Sequence, residues 1–242
     1  RAPMMKINTV AAGGGSICRF DGARFRVGPK SAGANPGPAC YRRGGPLTVT
    51  DCNLLLGKIR PEDFPSIFGP DGNLSLDRGV VCEKFEALAQ AVERDTGNAL
   101  TPQEIAEGFL KIAVANMANA IKKISVARGY DVTRYLLCGY GGAAGQHVCQ
   151  VADALAMKEI LLHPLAGVLS ALGMGLADLR VLGERAMVAP FEAGAMAKFE
   201  AALATLQGEA EAEIQAQGIP IGGRTSATFV HLRYEGTDAS LV

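Results

Sequence analysis

The residues with the clearest chemical potential are those of GYGGAAGQH at 139–147. The apolar run Tyr135–Cys138 precedes them and the amphipathic run Gln146–Ala156 follows, which predicts a glycine turn between a strand and a helix. Glycines at such a turn let the backbone approach a ligand that a Cβ would exclude. The first N–H groups of the following helix, and its positive dipole end, face the same space. That chemistry suits an anion, or the ribose and base of a nucleotide, and Ala143 and Ala144 keep the floor of the turn open. Gly139, Gly141 and Ala144 also fit the G-x-G-x-x-G/A spacing of dinucleotide binders. Those binders place an acidic residue at the end of the next strand. Here that strand ends at Leu162-His163 and carries Glu159 at its beginning. A tight packing turn that binds nothing is the plain alternative. No Walker A motif occurs.

Two further side chains are candidates for catalysis. Asp51 follows the expected strand LTVT (47–50), and active residues of α/β sheets gather at strand ends. It serves equally well as a cap for the helix that would follow. His147 falls one turn into the helix after the glycine turn, within reach of a nucleotide, of a neighbouring subunit or of nothing but packing. Ser16, after three glycines, could touch a phosphate or close an ordinary turn. His163 and His231 read as structural, and the histidines offer no metal-ligand spacing. No Ser-His-Asp arrangement can be assembled.

The elements that must position these residues fall into three regions. Residues 1–76 are rich in Gly and Pro and hold short β-like runs at Thr9–Ala12, Ile17–Phe20, Arg24–Val27 and Leu47–Thr50, with the loop GPKSAGANPGPACY (28–41) between the last two. Residues 77–128 read as two helices. The second starts with Thr101 as N-cap, Pro102 at its first position and Glu104 closing a capping box, with Leu100 and Ile105 as a hydrophobic staple. Its apolar stripe is Ile105, Phe109, Ile112, Ala113, Met117, Ala120, Ile121 and Ile124, and Gly129 ends it. In residues 129–242, strand Tyr135–Cys138, helix Gln146–Ala156, strand Glu159–His163 and helix Val168–Asp178 alternate, the order of a parallel, right-handed α/β unit. A long helix over Ala195–Gln217, with Phe199, Leu203, Leu206, Ala210 and Ile214 inward, precedes a hairpin turning at Glu235-Gly236. All three regions are expected to belong to one structural domain.

The chain has 242 residues, 48% hydrophobic and 20% charged, which places it among globular proteins. Lys+Arg and Asp+Glu both number 24, so no charge excess recruits nucleic acid or an anionic membrane. Pro164, Gly167, Gly173 and Gly175 break up the most apolar stretch, Ile160–Leu179, which argues against a membrane span. The six cysteines form no CxxC and no tight pattern, and read as reduced cytoplasmic thiols with no bound metal. The chain opens on Arg1-Ala2-Pro3 and stops inside an expected strand, so both ends are expected to be cuts in a longer polypeptide; Met4 or Met5 as a true start is the alternative.

GYGGAAGQH, VADAL (151–155) and HPLAGVLSALGMGLADLR (163–180) together resemble the hydantoinase A and 5-oxoprolinase family. So do TVAAGGGSI (9–17), VGPKSAGANPGPACYRRGGPLTVTDCNLLLG (27–57) and FPSIFGPDG (64–72), while HLRYEGTDASL (231–241) is similar to the 5-oxoprolinase branch in particular. Tyr140 and Ala144 stand where the family commonly has Phe and Gly. The resemblance implies an α/β fold, the RNase H-like domain of the actin, sugar-kinase and Hsp70 ATPase superfamily, with the Gly/Pro-rich β segment and helices inserted. It implies ATP and Mg²⁺ as cofactors, a small cyclic amide such as 5-oxoproline as substrate, and a hydantoinase B-like half or subunit as partner. A homo-oligomer is compatible with it. The adenosine contacts would be Gly139, Gly141, Gly142, Ala143, Gly145 and Gln146. The family's D-x-G-G-T phosphate motifs are not in these residues, so Mg²⁺ ligands are expected mainly outside them, and the chain alone is expected to hydrolyse no ATP. An ATP-dependent hydantoinase or ketone carboxylase subunit and a non-catalytic nucleotide-binding protein are the alternatives.

Overall fold

Apolar side chains from residues 12 to 113 meet in one core, so the Gly/Pro-rich segment and the first two long helices fold together. The computed structural model describes residues 8–237 and 241. It divides into two compact units, residues 1–172 and 173–242.

In the first unit, strand β1 (Ser16–Phe20) pairs antiparallel with β2 (Phe25–Ser31), around a turn braced by the Asp21 carboxylate. The N–H groups of Ala23 and Arg24 and the guanidinium of Arg26 all donate to it, and hold Asp21 down at a pKa of about 2. Thr9–Ala12 forms no strand. LTVT is not a strand either: Thr48 makes a single bridge to Ile17, and the chain then turns into helix α1 (Val49–Leu55). The β-branched residues suggested a strand, but Asp51, three residues after Thr48, accepts from the Thr48 N–H and hydroxyl and starts a helix instead.

Helix α2 (Arg78–Thr96) is capped by Asp77, whose side chain accepts from the Val80 N–H, and Gly97 closes it with a left-handed backbone. Helix α3 (Pro102–Val126) starts as its sequence dictates, with Thr101 and Glu104 reciprocally bonded. Its stripe serves two cores in turn. Ile105, Ala106, Phe109, Leu110 and Ala113 enter the first, where Phe109 meets the Phe25 ring edge-on at 5.1 Å. Val114 and Ala118 enter the second, against Val151, Ala152, Leu155 and Met157. Met117 lies between the two. Burying a side chain such as Phe109 contributes about 1.5–3 kcal/mol, so α3 is the element on which both cores depend.

The second core carries the α/β layer. Strand β3 (Leu137–Gly139) and strand β4 (Ile160–Leu162) pair in parallel, with Leu137 opposite Ile160 and Gly139 opposite Leu162. Helix α4 (Val148–Leu155) connects them, beginning two residues later than the periodicity predicts because Ala144–Gln146 closes as a 3-10 turn first. Helix α5 (Leu169–Leu176) follows β4.

The second unit is built on helix α6 (Met196–Ala216). Phe199, Leu203, Leu206, Ala210 and Ile214 make its apolar stripe and are half-buried rather than buried. Phe191 lies against Phe199 at 6.0 Å between ring centroids. Leu232 and Leu241 form an antiparallel bridge around the turn at Glu235-Gly236, where the hairpin is expected. Residues 238–240 and 242 of that hairpin lie outside the described residues. Among the described residues no helix is long and apolar enough to cross a membrane.

Candidate nucleotide turn and its support

Helix α1 is flanked by two glycine-rich turns. On one side, the N–H and hydroxyl of Thr50 both donate to the Gly14 carbonyl, at 2.9 and 3.0 Å. On the other, the Asn53 amide donates to Gln146 Oε1 at 2.7 Å and meets His147 Nε2 at 3.2 Å. Thr50 and Asn53 stand three residues apart and so share one face of α1.

The first turn is closed. A Cβ on Gly14 would lie 2.7 Å from Thr50 Oγ1, and one on Gly15 would lie 2.9 Å from Ser31 Oγ. Ser16 is buried, and its N–H returns to the Gly13 carbonyl. The loop that follows is fixed from beneath by Asp51. Its carboxylate is fully buried and accepts from the N–H groups of Ala39 and Cys40 as well as from Thr48. Four donors occupy its two oxygens, so Asp51 is the joint between the Gly/Pro loop and α1 and stands at no strand end. Of its two expected roles, this placement favours the cap over the catalyst. Burial, reinforced by the Asp51 charge, pushes the Cys40 thiol well above its ordinary range and keeps it protonated. Burial does the same to Cys52, whose sulfur lies 3.8 Å from that of Cys18.

The second turn is open. Side chains added at Gly141, Gly142 or Gly145 would meet no atom within 4 Å. Among the described residues, the N–H groups of Gly142 and Ala143 meet no protein acceptor. Gly141 has a left-handed backbone (φ 87°), which glycine adopts without strain, and its N–H donates to the Ala166 carbonyl at 2.7 Å. The N–H groups of Gln146 and His147 return to the carbonyls of Ala143 and Ala144. Gly139 differs from the other glycines. It is buried, and a Cβ there would press on Leu162 and Val148 at 2.8 and 3.2 Å, so it lets strand and helix pack closely.

His147 is 5% exposed and lies beneath the turn, not at its surface. Burial, and then the charge of Lys58, hold its pKa below the ordinary value of 6.5. Lys58 Nζ donates to the Gln146 carbonyl at 3.3 Å and to Gln150 Oε1 at 3.1 Å. His163 Nδ1 accepts from the Leu165 N–H, a local turn contact. Asn53, Lys58 and Gln150 were not among the sequence candidates. Spacing could not find Asn53 and Lys58, because 88 or more positions separate them from the turn. Among the described residues no group of His, Cys, Asp and Glu is gathered to hold a metal ion.

The family model for hydantoinase/oxoprolinase matches residues 1–182, which include both turns and α1. The chain belongs to the hydantoinase/oxoprolinase family. Within that family it is 40% identical over 248 residues to 5-oxoprolinase 1 of Arabidopsis thaliana, covering all of this chain and 20% of the relative. It is 37% identical over 180 residues to caprolactamase subunit alpha of Pseudomonas jessenii, covering 74% of this chain and 24% of that one. The chain thus spans about a fifth of the length of the curated relatives it matches. Among solved structures, the ATP-dependent caprolactamase of Pseudomonas jessenii superposes with a TM-score of 0.65 at 31% identity, over 99% of this chain and 34% of that one. Nucleotide-free acetone carboxylase superposes with a TM-score of 0.76 at 23% identity, over 95% and 32%, a likeness of fold alone.

Proposed function

We propose that this hydantoinase/oxoprolinase chain supplies the adenosine side of the ATP site in an enzyme that opens a cyclic amide, with 5-oxoproline to glutamate as the reaction. The observation that carries the reading is the open face of the 139–147 turn. Gly141, Gly142 and Gly145 leave room there, and the Gly142 and Ala143 N–H groups are available to a ligand. Ala143 and Gln146 would border the same ligand, and Gly139 would shape the floor. The 5-oxoprolinase relatives at about 40% identity support this substrate class. The parallel β3–α4–β4 unit supports the RNase H-like architecture of the actin, sugar-kinase and Hsp70 ATPases as its finer fold.

ATP would transfer its γ-phosphoryl group to the amide oxygen. Water would then add to the ring carbon, the C–N bond would break with a proton passing to the leaving nitrogen, and a second water would hydrolyse the acyl phosphate so formed to the open-chain acid and phosphate. This chain's residues would hold and orient the adenosine, because positioning dominates phosphoryl transfer. The described residues gather no donor set suited to Mg²⁺, so its ligands would belong to other residues of the complete protein. The chain alone would accordingly hydrolyse no ATP. A B-like half or subunit would complete the enzyme, and the relative named as a subunit alpha supports a second chain. A cytoplasmic location belongs to the same proposal. The family match, whose description takes in hydantoinase as well as oxoprolinase, favours a second reading, an ATP-dependent hydantoinase or ketone carboxylase subunit.

The test replaces Gly142 with Val in the complete polypeptide. KM for ATP should rise about ten- to hundredfold, with KM for the ring substrate little changed. If ADP binds the variant normally by calorimetry, the turn is not the adenosine site. ATP-coupled assays with 5-oxoproline, hydantoin and a ketone with bicarbonate separate the two readings.

A further inference from the structure

Asn53 and His147 form a buried polar pair that packing does not require. Asn53 is fully buried and His147 nearly so, yet Asn53 Oδ1 and His147 Nδ1 have no hydrogen-bond partner among the described residues. Buried polar groups left half-satisfied cost stability, so a pair of this kind points to a role other than holding the core. What the pair touches gives that role. One Asn53 amide group spans Gln146 Oε1 and His147 Nε2, the two residues that leave the open turn and enter α4. Lys58, from the segment after α1, holds the Gln146 carbonyl. The turn therefore has its far end fastened to α1 and its near end free for a ligand.

We propose that Asn53 is a positioning residue for the glycine turn, setting through Gln146 and His147 the geometry in which the Gly142 and Ala143 N–H groups meet a nucleotide. This rests on the nucleotide reading of the turn. With both amide hydrogens of Asn53 engaged, His147 Nε2 accepts, and the imidazole is the neutral tautomer protonated on Nδ1. A protonated ring would turn a second donor toward the Asn53 amide and undo the contact. Lys58 is the charged group that acts on His147. The α1 acid Asp51 is taken up by the loop, Asp153 of α4 is exposed, and the charged residues of α3 (Glu104, Glu107, Lys111, Lys122 and Lys123) are exposed as well.

The experiment uses the complete polypeptide with Asn53→Leu and Asn53→Asp, and ADP binding by calorimetry from about pH 5.5 to about pH 8. Asn53→Leu should weaken ADP by about tenfold throughout that range, the loss of one or two hydrogen bonds. Wild-type affinity should fall as pH is lowered. Asn53→Asp should reverse that slope, binding poorly at high pH and recovering as pH falls, because the imidazolium Nε2–H can then donate to the new carboxylate. A purely structural Asn53 moves the melting temperature but cannot reverse the slope. Wild-type-like ADP binding in both variants, or an unreversed slope in Asn53→Asp, overturns the proposal. An NMR titration of His147 separates this failure from failure of the nucleotide reading. If Gly142→Val binds ADP normally, the nucleotide reading has failed. The Asn53–His147 contact still stands if Asn53→Asp raises the pKa of His147, and falls if it does not.

Discussion

The two glycine-rich turns beside α1 share a composition and differ in what surrounds them. At Gly14 and Gly15 the space a side chain would need is already filled by Thr50 and Ser31, and the Gly14 carbonyl is taken by Thr50. At Gly141, Gly142 and Gly145 that space is empty, and the neighbouring N–H groups at 142 and 143 have no acceptor among the described residues. Glycine in the first turn permits close packing, whereas in the second it leaves a surface. The same residue type thus marks a piece of architecture in one place and a candidate binding site in the other, and only the neighbours distinguish them.

Four measurements would break or sharpen that contrast. The largest effect is expected at Asp51, which underlies the closed side. Asp51→Ala leaves the Ala39, Cys40 and Thr48 donors buried without an acceptor and should cost about 3–5 kcal/mol in urea unfolding. A loss well under that would mean the loop is held by something other than this carboxylate. Next comes a matched glycine pair. Gly28 has φ 70°, and a Cβ there would lie 2.6 Å from the Ala11 carbonyl oxygen, so Gly28→Ala should cost about 1–3 kcal/mol. Gly142→Ala should stay within about 0.5 kcal/mol of wild type. Equal losses at the two positions would erase the distinction between packed and open glycines.

A smaller effect calibrates the scaffold beneath both turns. Thr101→Ala removes the side-chain acceptor for the Glu104 N–H at the start of α3 and should cost about 1 kcal/mol by thermal unfolding. The smallest effect is pH-dependent and belongs to the open side. The folded pKa of His147 lies below its ordinary value of 6.5, so the unfolded chain takes up this proton first. Its contribution to stability is complete above about pH 6.5 and is lost as pH falls through the folded pKa. The melting temperature should decline over that range, and His147→Gln should flatten the decline. An equal slope in wild type and variant would assign it to other groups.

Much of the scaffold could be read directly from the residues. The Thr101-Pro102-x-Glu104 start of α3, the strand–turn–helix order around 137–155 and the parallel pairing of β3 with β4 all follow from local signals, because caps and periodicity act over a few residues. LTVT reads as a strand by its β-branched residues, whereas Asp51 caps a helix there and also takes donors from Ala39 and Cys40, outside any local window. Periodicity picks out the apolar stripe of α6, yet in this chain its residues are half-buried, since periodicity reports a face and not what covers it.

The sequence by itself determined the family, the capped helices and the location of a glycine turn suited to a ligand, since each is written in contiguous residues. Only the tertiary structure decided which glycines are packed and which are open, that Asp51 binds a loop to a helix, and that His147 lies buried against Asn53. The reason is that these properties depend on which atoms occupy the space around a residue, and in each case decisive neighbours come from segments distant along the chain.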